Sequence, residues 1–143
     1  LDHIIVRPFN IYSPRADPSS PYSGVITRFV ECAKSGRPLM VEGDGEQTRD
    51  FIHARDVARM IALCLESGVR NLTLNCASGR GTSINELVEA IRLSVPGGIR
   101  VKHAPRRMGD IRQSVGNISL ARDLLGFSPS MDLREGLADF LHD

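Results

Sequence analysis

The sequence predicts an α/β fold, on two observations. Short apolar runs suited to strands alternate with stretches of helical periodicity, and cap or breaker residues punctuate the junctions between them. The strands are few and short, so they are expected to form a small sheet beside a larger one. At 143 residues the chain has material for a core of its own.

His3-Ile4-Ile5-Val6 reads as a buried, β-branched strand. Such a strand needs neighbours on both sides, and the chain offers none upstream, so it is expected to begin in mid-fold. Asn10 to Ser23, rich in Pro, Ser and Tyr, is a long loop of the kind that carries function. Ile26, Phe29, Val30 and Ala33 then recur at helical spacing until Gly36 stops the helix. Leu39-Met40-Val41 is a brief strand, Gly43-Asp44-Gly45 a turn, and Phe51-Ile52 another short apolar piece. Asp56 is expected to cap the next helix, whose inner face reads as Val57, Ile61, Cys64 and Leu65.

Leu72 to Ala77 is a strand and Ser78-Gly79-Arg80-Gly81 a turn. Ser83 and Glu86 have capping-box spacing for a helix carrying Ile84, Leu87, Val88 and Ile91, which Pro96-Gly97-Gly98 ends. Ile99 to Ala104 is extended, and an arginine-rich loop follows from Pro105 to Ser114. Ser119 opens a short helix closed by Gly126. Asp132 with Glu135 caps the last helix, packed through Leu137, Phe140 and Leu141. The sequence shows no internal repeat.

Composition narrows the function classes. With 41% hydrophobic and 24% charged residues the chain has the balance of a folded domain, not a disordered one. Eighteen basic against 17 acidic side chains leave a net charge of +1, so no general basic field would hold nucleic acid. Any anion must be met by a few placed arginines. Cys32, Cys64 and Cys76 are odd in number and form no CxxC pair, which argues against zinc and a disulfide framework; Cys64 and Cys76 read as small core residues. The four histidines show no metal-ligand spacing. Neither a long apolar run nor a signal peptide is present, so no membrane partner and a cytoplasmic location are expected.

Three polar loops interrupt the scaffold, each holding arginine: Arg7-Pro8-Phe9-Asn10 with Tyr12 and Arg15, the stretch Gly43 to Asp50 with Arg49, and Pro105 to Asp110 with Arg106 and Arg107. The planar guanidinium fork matches phosphate oxygens two at a time. A carboxylate such as Asp110 accepts from sugar hydroxyls, which arginine cannot do. Arginines with an acid therefore suit a nucleoside diphosphate sugar.

The stretches RPFNIYSPR, GDGEQTRDFIHARDVA, NCASGRGTSINELVEAI and APRRMGDIRQSVGNISLARDLLGFSP resemble consecutive signature blocks of the extended short-chain dehydrogenase/reductase family, the NAD-dependent epimerases and dehydratases. The likeness is greatest to its UDP-sugar epimerase members of the UDP-glucose type, and runs in order from about Ile5 to Leu141. It implies the C-terminal, substrate-binding part of such an enzyme. Residues 1–15 would end the NAD-binding Rossmann domain with its last strand, and residues 16–143 would form a small mixed α/β substrate domain.

The resemblance also implies roles. Phe9 would lie beside the nicotinamide of NAD, with Asn10 reaching a substrate phosphate. Met40 and Glu42 would border the uracil, largely through backbone groups. Arg49 and Arg107 would clamp the diphosphate of a UDP-sugar, and Asp110 would bind a ribose hydroxyl. Tyr12 and Arg15 follow the family's strand-to-loop motif, and for them a structural role and a ligand contact stand level. Asp50, His53 and Asp56 read as structural, His53 as a satisfied internal group.

Ser13 stands where the family usually has glycine, which puts the course of the loop after Tyr12 in doubt, and Asn117 stands where aspartate is common. No glycine-rich dinucleotide fingerprint follows a strand, and no tyrosine is followed four residues later by lysine. The proton-transfer pair and the main NAD site are therefore expected in an N-terminal Rossmann half, partner to this chain in a homodimeric whole, with no catalytic residue here. A dehydratase or decarboxylase of the same family, or a non-catalytic regulator, are the other readings.

Overall fold

A computed structural model of the chain describes residues 1–20, 23–95 and 97–142, with side chains described as far as Phe140. Pro96, expected to help end a helix, Tyr22 of the long loop, and the packing of Leu141 lie outside the described residues.

The first extended segment is a single run that changes partner halfway. Its first part, β1 (Ile4–Pro8), lies parallel to β6 (Leu72–Cys76), and its second, β2 (Asn10–Tyr12), lies parallel to β5 (Phe51–His53). Phe9 is the pivot: its N–H donates to the carbonyl of Cys76 at 2.9 Å, and the next N–H, of Asn10, donates to that of Asp50 at 3.0 Å. Asp50 fills the fork. It is fully buried, and its carboxylate accepts from the N–H groups of Ser78, Gly79 and Gly116 and from the Ser78 hydroxyl, at 2.6–3.0 Å. A buried charge is tolerated because four donors surround it.

From β5 the chain enters α2 (Ala54–Glu66) without a loop, and α2 leads back to β6. The helix cap is His53, not Asp56: the His53 Nδ1 accepts from the N–H of Arg55 at 3.2 Å. Asp56 sits in the first turn, buried, where it accepts from the N–H and hydroxyl of Ser130 and the N–H of Met131. The inner face also differs from expectation. Met60 and Cys64 are buried against Leu74 and Cys76 of β6, whereas Ile61 and Leu65 are 47% and 80% exposed. The helix is apolar on both sides, so periodicity alone could not choose the face.

A second core lies between α1 (Val25–Lys34), β3 (Leu39–Glu42), α3 (Ile84–Ser94) and α5 (Leu133–His142), with Phe29, Leu39, Val41, Leu87, Ile91 and Leu137 at its centre. β3 pairs in parallel with β8 (Val101–Ala104). The capping box of α3 forms as expected, Ser83 accepting from the N–H of Glu86 and Glu86 from that of Ser83. At α5 the Asp132 carboxylate accepts from the N–H of Arg134 at 2.9 Å. The short helix α4 (Ser119–Leu125) ends on Gly126 in the left-handed region, and Asn117 accepts from the N–H of Ser119 ahead of it.

Instead of one small sheet, the described strands form three two-stranded pairs and a three-stranded sheet in which β4 (Thr48–Arg49) lies between β7 (Thr82–Ser83) and β9 (Gln113–Ser114). Among the described residues no helix is long and apolar enough to cross a membrane.

Candidate functional site

The sheet centred on β4 brings the three arginine-bearing loops together. Arg49 on β4 registers with Ser114, the N–H of Thr48 donates to the carbonyl of Arg112 at 2.9 Å, and Arg112 meets Asp44 with two contacts of 2.7 and 2.9 Å. The first loop joins one residue further on, since both the N–H and the Nδ2 of Asn10 donate to the Asp50 carbonyl. The turn before β4 is close-fitting: Gly43 and Gly45 have φ of +70° and +77°, and a side chain at Gly45 would collide with Asn85. Asn85 in turn holds the Asp44 carbonyl and the Glu46 carboxylate.

Between these loops and α1 lies a cleft of about 440 Å³. One wall is apolar: Val25, Phe29 and Cys32 project from α1, with Met40 beside them. The other is polar, with Gln47, Arg49, Arg107 and Asp110, and Asn10 lines the same space. An apolar slot beside two guanidinium groups and a carboxylate has the layout of a site for a flat base joined to a charged tail.

Arg49 and Asp110 are joined as an ion pair through Nη2 and Oδ1, and the Arg49 Nη1 also donates to the carbonyls of Thr48 and Ile111. The Arg107 side chain has no hydrogen bond or ion pair among the described residues, its main-chain carbonyl accepting from the Asp110 N–H at 3.2 Å, and the Arg106 side chain turns to the Asp110 carbonyl. The second oxygen of Asp110 has no partner there either, which leaves it able to accept from a hydroxyl. Met40 and Glu42 share the exposed face of β3, and Leu39 and Val41 the buried one. Of the six substrate-binding residues expected from the sequence, all line this one cleft.

Other expected residues lie elsewhere. Phe9, half-buried, packs its ring near Ala77 and Gly116 and does not line the cleft. Tyr12 is core: 3% exposed, edge-on to His53 with ring centroids 5.1 Å apart, its hydroxyl against Gly136. Arg15 is exposed, and its N–H donates to the Ser13 hydroxyl at 3.2 Å. Ser13 keeps an ordinary φ, so the loop does not require the glycine it lacks. His53 is buried as expected but not satisfied, since its Nε2 has no partner among the described residues. Burial pushes the Cys76 thiol up to about 11 and the Cys64 thiol upward, in keeping with core roles.

Sequence reasoning passed over Gln47, Cys32 and Arg28, which also line the cleft. Gln47 stood inside a quoted block. Val25, Phe29 and Cys32 form a stripe at i, i+4 and i+7 that packs in the core cluster and also borders the cleft. A larger groove of about 680 Å³ runs along α3 past Arg80, Glu89, Arg92, His103 and Arg134, but none of these side chains is buried.

The sequence matches the NAD dependent epimerase/dehydratase family over residues 1–77. It is 34% identical to a UDP-glucose 4-epimerase of Mycolicibacterium smegmatis across 96% of this chain and 44% of that protein. It is 30% identical to a UDP-N-acetyl-alpha-D-glucosaminuronate decarboxylase of Bacillus cytotoxicus across 94% of this chain and 44% of that protein. Among solved structures, the UDP-glucose 4-epimerase of Thermotoga maritima with UDP-glucose superposes with a TM-score of 0.93 at 33% identity, covering 99% of this chain and 45% of that one. The chain thus spans less than half the length of the relatives it matches.

Proposed function

Since the chain belongs to the NAD dependent epimerase/dehydratase family, we propose that it is the nucleotide-sugar-binding part of an NAD-dependent UDP-sugar 4-epimerase. The observation that carries this reading is the convergence of Asn10, Met40, Glu42, Arg49, Arg107 and Asp110 on one cleft with an apolar slot. Base, ribose and diphosphate would lie along it in that order. Met40 and Glu42 meet the base, Asp110 accepts from a ribose hydroxyl, and Arg107 and Arg49 hold the diphosphate with Asn10 at a phosphate oxygen.

Such an anchor grips the nucleotide and leaves the sugar free to turn, as exchange of configuration at one carbon requires. NAD, when bound, supplies reversible hydride chemistry at that carbon. This chain's own residues do not fit a dinucleotide cradle. The glycine-bearing turn between β6 and α3, Ser78 to Gly81, has the Ser78 and Gly79 N–H groups committed to Asp50, so they are not free to receive a phosphate. Phe9 is placed at the pivot of the first strand, where it would border the nicotinamide from the substrate side.

We propose that the NAD site and the proton-transfer pair belong to the remainder of the protein, an N-terminal Rossmann half. It would add strands to the edge of β1 that no strand pairs with among the described residues, where Ile5 is 50% exposed. It would also cover the outer stripe of α2 formed by Ala58, Ile61, Ala62 and Leu65. The whole would act as a homodimer in the cytoplasm.

The decarboxylase relative favours a second reading, a nucleotide-sugar decarboxylase or dehydratase using the same anchor. The full-length protein given UDP-sugars decides. The C4 epimer formed without net consumption of NAD supports the epimerase. Carbon dioxide released from a UDP-uronate, or an accumulating 4-keto sugar, would establish the second reading, and binding without turnover a regulator.

A further inference from the structure

The strand beside the apolar slot has an unpaired edge, and one buried side chain decides which of its groups are available. β3 bonds to β8 through alternate residues: the N–H of Leu39 donates to the Arg100 carbonyl and that of Gly43 to the Ala104 carbonyl, both at 2.8 Å. In a parallel ladder the residues between point their main-chain groups the other way. Met40 and Glu42 therefore face the second edge of β3, which no strand pairs with among the described residues. In chain order that edge carries the Met40 N–H, the Met40 carbonyl, the Glu42 N–H and the Glu42 carbonyl.

Gln47 competes for the last of these, filling one of the carbonyl's two acceptor positions. Its Nε2 donates to the Glu42 carbonyl at 2.8 Å. The residue is held in place, because Gln47 is only 8% exposed and its main-chain carbonyl accepts from the N–H of Ile84 at 3.2 Å. The groups left without any partner on the edge are donor, acceptor, donor. The complement is acceptor, donor, acceptor, which is the imide edge of uracil or thymine. Cytosine offers acceptor, acceptor, donor, and its amino group would need the carbonyl that Gln47 occupies.

We infer that Gln47 is a specificity-determining residue that, by masking the Glu42 carbonyl, sets the edge of β3 to take an imide base and refuse cytosine. The inference rests on the nucleotide-binding reading above. Gln47 acts through Glu42 and is a positioning residue. Discrimination of this kind is strong where a mismatched base leaves buried polar groups unpaired.

UDP and CDP share ribose and diphosphate, so their affinity ratio isolates the base. Calorimetry on the full-length protein should show UDP bound at least about 30-fold more tightly than CDP. Gln47→Met removes the masking donor at nearly constant volume, and Gln47→Glu removes it while keeping an acceptor oxygen. Both should weaken UDP and shrink the ratio by about tenfold, with circular dichroism reporting a native fold. A wild-type protein that binds UDP and CDP alike would overturn the inference and leave the nucleotide site standing; one that binds neither removes both. Retention of the wild-type ratio in Gln47→Glu would also overturn it, since the oxygen, not the masking, would then be reading the base. So would an unchanged ratio in Gln47→Met.

Discussion

Arg49 and Asp110 form an ion pair whose side chains are only 18% and 19% exposed, and the same guanidinium donates to two main-chain carbonyls, each at 2.7 Å. Arg49 is thus a post that fixes the loop carrying Asp110, with one part of its fork left over. The Arg107 guanidinium, on that loop, has no partner of its own among the described residues. The two arginines of the proposed clamp are therefore not equivalent.

This inequality gives the first prediction. In the full-length protein Arg107→Ala should weaken UDP binding by about 1.5–3 kcal/mol, the worth of charge-assisted contacts, and leave the melting temperature unchanged. Arg49→Ala should weaken UDP comparably and also destabilise the fold, because two carbonyls and a carboxylate lose their donor. Calorimetry with a parallel thermal melt reads both effects. Unaltered UDP affinity in Arg107→Ala would show the clamp to be misplaced.

Asp56 supports the second. It is 1% exposed and accepts from Ser130, Met131 and Arg59. Burial by itself would raise its pKa, but these hydrogen bonds together outweigh it and the value is lowered. The Asp56 contribution is then fully present above the unfolded pKa of about 3.9 and lost as pH falls through the folded value. Asp56→Ala should cost about 2–4 kcal/mol in urea unfolding at pH 7, and the deficit should shrink near pH 3. A deficit constant between the two would refute this account.

The same residue marks where sequence reading stops. The Ser83–Glu86 capping box was legible because both partners lie three residues apart. Besides Arg59, the partners of Asp56 are Ser130 and Met131, 74 and 75 residues away, so locally it looked like a cap. His53 took that role because β5 runs into α2 with no loop to mark the start. Ile61 and Leu65 were misassigned because α2 carries apolar residues on two faces, and only tertiary packing selects one. In the site, the arginines and Asp110 were legible as polar interruptions of an apolar pattern. Gln47 was not, since its value lies in a contact with a main-chain carbonyl, which leaves no trace in residue type.

Gly136 sets two rules against each other. It lies inside α5, where replacement by alanine should stabilise by about 1 kcal/mol on helix propensity alone. A methyl group there, however, would collide with the Tyr12 hydroxyl and come within 3 Å of its ring. Tyr12 cannot retreat, being 3% exposed and set edge-on against His53. Overpacking should win, with Gly136→Ala net destabilising by about 1–3 kcal/mol. Tyr12→Phe should rescue it only in part, because the ring contacts remain. An urea midpoint at or above wild type in Gly136→Ala would contradict the packing described.

His53 gives the last prediction. Its Nδ1 accepts from the N–H of Arg55, so the ring proton sits on Nε2, and the ring caps α2 only while neutral. Protonation would turn that acceptor into a donor facing another donor, inside the core. Burial, and then the nearby charge of Arg55, lower the His53 pKa, with Asp139 and Asp56 opposing. The unfolded chain takes up the proton near pH 6.5, the folded chain only at lower pH. Between those values the unfolded state holds more protons, so stability rises with pH there. It is complete above about pH 6.5 and erodes as pH falls from that point to the folded value. Urea unfolding from pH 7.5 to 5 should show this erosion in the wild type. His53→Asn keeps a good capping residue but cannot titrate, so its slope over the same range should be shallower. The exposed histidines His3 and His103 are common to both proteins and cancel in the comparison. Equal slopes would mean that His53 is not the group whose protonation opposes folding.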